Sequence, residues 1–76
     1  MLLSDVRTNQ FFLLGKNRQY VMGDIVYKLG SGFPTDIVGI WQYRLWPHSY
    51  RDGAFRSSDG PPIYADSDRV VTIIEA

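Results

Sequence analysis

No cysteine occurs in this chain, and only one histidine. Disulfides are thereby excluded, together with Cys-based zinc and iron–sulfur sites, and few ligands remain for a transition metal. Net charge is missing as well, since eight basic residues balance eight acidic ones. A neutral domain is a poor generic binder of phosphate backbones, whose affinity comes from neutralising several charges at once. No apolar run approaches the ~18–20 residues needed to span a bilayer. Met1-Leu2-Leu3 leads directly into polar residues, without a basic n-region or an apolar h-region, so no signal peptide is expected. A cytoplasmic protein outside the membrane is the expectation. Helical periodicity is also lacking, because no segment longer than two turns repeats its apolar residues every 3–4 positions.

What is present is apolar and aromatic material. Of the 76 residues, 45% are apolar and 14% aromatic, which disfavours disorder and can furnish one small core. Domains below about 80 residues rarely gain more than ~3–5 kcal/mol of net stability from such a core. Short apolar stretches separated by Gly, Pro and Asn turns, at intervals of roughly 8–12 residues, indicate an all-β fold of one domain, residues 1–76.

Along the chain, residues 2–10 read as a turn or single helical turn with Ser4 as its cap. Phe11-Phe12-Leu13-Leu14 reads as a buried strand, Gly15-Lys16-Asn17-Arg18 as a hairpin turn and Gln19-Tyr20-Val21-Met22 as the returning strand. Gly23-Asp24 marks a turn or bulge before the strand 25–29, and residues 30–35 form a Gly/Pro loop. The longest strand is expected over 36–46, bent at Gly39 and ended by Pro47, with Trp41, Tyr43 and Leu45 on its core face. Residues 48–62 read as loop, with a short strand at Ala54-Phe55-Arg56. Ile63-Tyr64 and residues 69–74 read as the last strands, joined by a polar turn at 65–68.

The run Gly23-Asp24-Ile25-Val26-Tyr27-Lys28-Leu29-Gly30-Ser31-Gly32-Phe33-Pro34-Thr35-Asp36-Ile37-Val38 resembles the opening of small uncharacterised SH3-like β-barrel proteins of bacteria and phages. Those begin with Gly-Asp, a hydrophobic-Val pair, a basic residue and Ser-Gly-x-Pro, and this chain carries one extra residue around Gly30. The resemblance implies a small SH3-like barrel or roll of about five to six short antiparallel strands, here with an extra N-terminal hairpin over residues 10–22. It also implies that Gly-Asp starts the first long strand and that the Gly/Pro loop is an RT-type connection. It supplies no catalytic residue, and such barrels bind proteins, peptides and nucleic acids alike.

Three constellations invite chemical readings. His48, Ser49 and Asp52 bring together the residue types of a hydrolytic triad, but a triad aligns its members from separate rigid elements, which one short loop does not. Asp66, Ser67 and Asp68, with Asp59 upstream, offer oxygen ligands for a hard cation without calcium-loop spacing; turn capping is the commoner role. Gly30-Ser31-Gly32 lacks the Lys-Ser/Thr and the helix of a phosphate loop. No enzyme, metal site or cofactor is expected from these sets.

Residues 41–56 hold both tryptophans, the histidine, and Arg44, Arg51 and Arg56. Aromatic rings and guanidinium groups dominate binding surfaces, through contact area, stacking and forked hydrogen bonds. The residues at and beyond the Pro47 break, Arg44, Trp46, His48, Tyr50, Arg51, Phe55 and Arg56, form the expected contact surface, joined by the 30–35 loop. The same aromatics could instead plug the end of a small barrel. The expected function is a non-catalytic protein-interaction module. By analogy of size, this suits a phage or mobile-element accessory or inhibitor protein that modulates a host complex. Single-stranded nucleic-acid binding, disfavoured by the zero net charge, and a structural subunit or homodimer are the alternatives.

Overall fold

The computed structural model describes residues 1–74. Six antiparallel strands form one sheet: β1 (Phe11–Leu14), β2 (Val26–Pro34), β3 (Trp41–Arg51), β4 (Ala54–Ser57), β5 (Ile63–Asp66) and β6 (Val71–Ile74). The path runs β4-β3-β2-β1-β6, with β5 also on β3. β3 organises the molecule. One of its edges pairs with β2 from Trp41 to His48; the other takes β5 at residues 42–45 and β4 at residues 48–51. A single 3-10 turn, Leu3–Asp5, precedes the sheet. Among the described residues no helix is long and apolar enough to cross a membrane.

Alternation along the strands gives the sheet two faces. The inner face buries Phe12, Leu45 and Val71, with Tyr27, Leu29, Tyr43, Ile63 and Ile73 packed around them, and Leu3 and Val6 close it from the N-terminal turn. Leu13 and Val26 fall on the opposite face by register, yet both are buried. Residues 15–25 fold back over that face. Thr72 Oγ1 accepts from Arg18 N–H and donates to Gly15 O, and the Tyr20 ring meets Phe55 edge-on at 5.5 Å. The chain thus builds a second, smaller core behind its main one.

Several sequence expectations are corrected by pairing. Residues 19–22 are not a strand; β1 forms its hairpin with β2 instead, across a long connection held by Asp24, whose Oδ2 accepts from Val21 N–H. Ser4 lies inside the first turn, which begins after Leu2 and has no side-chain cap. Residues 30–34 are strand, not loop: β2 runs on to Pro34 through a one-residue bulge between Leu29 and Gly32. The first long strand starts at Val26 rather than at Gly23-Asp24. Residues 36–40, expected as the start of the longest strand, instead make with Thr35 the turn that returns to β3, with Gly39 at φ +85° within it.

Pro47 does not end β3. Its carbonyl accepts from Ser58 N–H at 3.0 Å, on the edge shared by β5 and β4. A strand residue directs its N–H and C=O to the same side, so the absent N–H faces the gap between those two strands and breaks no pair. Beyond it the expected loop is a hairpin. Asp52 (φ 53°) and Gly53 (φ 83°) are both left-handed, the signature of a type I′ turn joining β3 to β4.

Candidate functional site

The seven expected contact residues separate into three groups. Arg44 and Trp46 lie on the outer face of β3, where Arg44 stands opposite Tyr64 of β5 and Trp46 opposite Lys28 of β2. Phe33 reaches the same face because of the bulge. Without the extra residue it would share the side of Leu29 and point inward, but after it Gly32 pairs with Tyr43 and Phe33 with Gln42. The Arg44 guanidinium carbon then sits 5.5 Å from the Phe33 ring centre and 5.7 Å from those of Trp46 and Tyr64. Its Nε–H donates to the Tyr64 hydroxyl at 3.3 Å.

All three rings are 40–50% exposed, whereas Arg44 is half-buried between them. Among the described residues the ion pair is Arg18 with Asp24 at 4.0 Å, so no carboxylate neutralises Arg44. Cation–π contact of this kind contributes about 0.5–1 kcal/mol per exposed ring and fixes the guanidinium in place. The face is therefore rigid, aromatic and cationic. It continues toward a polar hollow of about 340 Å³ lined by Gln42, Tyr64, Ala65, Asp66, Asp68 and Arg69.

His48 and Phe55 belong to the second core, and Tyr50, itself exposed, packs at its rim. His48 is only 8% exposed, with its ring edge-on to Phe11 at 5.1 Å. In the neutral ring Nδ1–H donates to Trp46 O (2.9 Å) and Nε2 accepts from the Ser57 hydroxyl (3.4 Å). Ser49 points to the other side of the strand, and Asp52 lies in the turn beyond. Phe55 packs on Phe11, Tyr20 and Tyr50 at ring distances of 5.0–5.5 Å. These rings border the larger hollow, an open apolar cleft of about 700 Å³ between Phe11, Tyr20, Met22, Tyr50, Phe55 and Ile74. The Tyr20 hydroxyl is buried there without a hydrogen-bond partner among the described residues.

Arg51 and Arg56 form the third group. By register they lie on the opposite side of the β3–β4 ribbon from Tyr50 and Phe55. Arg51 Nη2–H donates to Ser57 O at 2.8 Å and Arg56 Nε–H to Arg51 O at 3.1 Å, so both brace the hairpin. The seven residues accordingly do not make one surface. Trp41, expected in the core, is 47% exposed at the far end of β3, although it shares the side of Tyr43.

The remaining constellation serves the fold. Ser67 is buried; its Oγ accepts from Trp41 N–H (3.0 Å) and its N–H donates to Trp41 O (2.6 Å), which ties the β5–β6 turn to the start of β3. Among the described residues no three His, Cys, Asp or Glu side chains converge as a metal site. Sequence reasoning missed Tyr64 and Lys28 as members of the outer face, and Phe11 and Tyr20 as cleft residues. Strand alternation would have assigned Tyr64 outward, had its pairing with Arg44 been known. Compared with protein-family models, characterised proteins and solved structures, the chain matches none of them.

Proposed function

We propose that this chain is a non-catalytic protein-interaction module that engages its partner through the outer face built on Arg44, Trp46, Phe33 and Tyr64. The observation that carries this reading is Arg44 itself, a half-buried guanidinium with no carboxylate partner among the described residues, ringed by three half-exposed aromatic side chains. Trp, Tyr and Arg dominate interface energetics, and a side chain already fixed loses little entropy on binding. A partner carboxylate flanked by apolar groups complements such a face. The SH3-like resemblance fits a binding role, and small size with no cysteine suits a cytoplasmic accessory or inhibitor protein, of the kind phages and mobile elements carry, that covers a host surface.

The test is affinity capture with wild type and an Arg44→Ala/Trp46→Ala variant whose thermal midpoint is checked first. Loss of specific partners in the variant supports the reading; an unchanged partner set removes this face as the contact surface. A second reading has its own observation, since the three rings share a sheet face with Arg44 and with Lys28, opposite Trp46. Bases stacked on such rings gain about 1–3 kcal/mol each. Single-stranded oligonucleotides should then bind with a clear negative log–log salt slope. No binding at low salt eliminates this second reading.

A further inference from the structure

The outer face carries charge of both signs, and neither sign is neutralised within one copy. Gln42 and Arg44 of β3 stand directly opposite Asp66 and Tyr64 of β5, so these four side chains form one block on the same side of the sheet. Arg44 and Asp66 occupy diagonal corners of that block. They do not pair, since among the described residues the ion pair is Arg18 with Asp24. The aromatic setting of Arg44 keeps them apart: its Nε–H is taken by the Tyr64 hydroxyl, and its guanidinium is held among three rings. Among the described residues neither Nη group of Arg44 nor the exposed Asp66 carboxylate has a hydrogen-bond partner.

The charges around the block divide in the same way. Lys28 lies on this face on the Trp46 side, whereas Asp68 lines the polar hollow with Asp66, against one cation, Arg69. An occupant of a single sign satisfies half of such a face and is repelled by the other half. An acidic peptide, a phosphate backbone or an anionic bilayer that reaches Arg44 also meets Asp66. A second copy carries both halves of the complement. Zero net charge also means that copies of this chain do not repel one another.

We propose that a second copy of this chain covers the outer face, with Arg44 of each copy paired to Asp66 of the other about a two-fold axis. A diagonal pair suits that symmetry, because an isologous contact brings each residue of the pair to its opposite number twice. With the axis midway between Arg44 and Asp66, the remaining corners, Gln42 and Tyr64, fall close to it, and each meets its own copy. Both residue types tolerate this: a Gln amide donates and accepts, and Tyr rings stack with an offset. The contact is face to face rather than edge to edge. The bulge and Pro34 blunt the edge of β2 beyond its pairing with β1, and Pro61-Pro62 leads into the short β5. The inference rests on the outer face being a contact surface, as proposed above, and names its occupant in the free protein.

Sedimentation velocity of the intact chain, from about 1 μM to about 1 mM, tests it. Wild type is expected to reach the mass of a dimer and to grow no further. Arg44→Asp and Asp66→Arg each set like charges against one another, and each alone should lose association roughly tenfold or more. Mixed in equal amounts they should form a heterodimer, because both contacts then join opposite charges. Circular dichroism checks folding. If Arg44→Asp does not fold, Arg44→Gln replaces it, and its mixture with Asp66→Arg should still associate more tightly than either variant alone. Lys16→Asp, an exposed charge reversal in the turn after β1, should assemble like wild type. Wild type that stays monomeric or grows past the dimer, either face variant assembling like wild type, Lys16→Asp losing association, or a mixture that stays monomeric overturns the proposal. Monomeric wild type whose captured partners vanish with Arg44→Ala/Trp46→Ala removes the second copy and leaves the contact surface standing. A dimer broken by the two reversals, beside an unchanged partner set, keeps the second copy and removes the other partner.

Discussion

A Cβ built on Gly30 falls 2.7 Å from both the Arg44 carbonyl oxygen and Trp46 Nε1. The carbonyl belongs to the central strand and has little room to yield, whereas the indole can swing aside. Gly30 therefore does two things at the residue scale. It permits the bulge that brings Phe33 outward, and it leaves space for Trp46 to lie against the backbone beside Arg44. Gly30→Ala should cost about 1–3 kcal/mol, the usual penalty of overpacking a closed site. It should also shift Trp46 emission, read by urea denaturation and fluorescence in a Trp41→Phe background. An unchanged denaturation midpoint with unchanged emission would mean that the bulge relaxes freely and does not position the ring.

At the scale of elements, the difficulty lies in what Gly and Pro punctuate. Runs with strong apolar content and no interior Gly or Pro were legible: β1, the start of β2, and the cores of β5 and β6 all fall where alternation and β-branching put them. Gly30, Gly32 and Pro34 read locally as loop, yet they sit inside β2, because a bulge absorbs the extra residue and Pro34 lies at the last pair, opposite Trp41. Pro47 reads as a break, yet the gap between β5 and β4 leaves nothing for its missing N–H to bond. Whether such residues interrupt a strand depends on what stands beside them, which no local window contains. Asp52-Gly53 is different, since a hairpin signal stands in the sequence there but went unread amid the loop-like composition around it. For the same reason the candidate site was only half legible: Arg44 and Trp46 were found, but their ring partners came from other strands. Gly53 tests the hairpin directly. At φ 83° it occupies backbone space that an L side chain resists, so Gly53→Ala should lower stability by about 1 kcal/mol. For a domain of this size that is a fall of roughly 4–8 °C in Tm by calorimetry. No fall would mean that β4 is held by the Phe55 cluster alone.

Over the whole molecule, stability rests on burial rather than charge. The ion pair among the described residues, Arg18 with Asp24, is at 4.0 Å and partly solvated, a geometry that contributes little. The inner core is small and sealed by an N-terminal segment that adds backbone bonds to the last strand. Leu3 N–H donates to Arg69 O, and Val71 N–H donates to Met1 O. Leu3 itself is fully buried. Leu3→Ala should therefore cost about 2–5 kcal/mol, against a total that domains of this size hold near ~3–5 kcal/mol. The variant is expected to be substantially unfolded at 25 °C by circular dichroism. Sodium sulfate, which strengthens burial by exclusion from protein surface, should refold it. Sodium chloride at equal ionic strength, acting mainly by screening, should recover much less. Equal recovery by both salts would shift the account from apolar burial to relief of like-charge repulsion, which a chain of zero net charge gives little reason to expect.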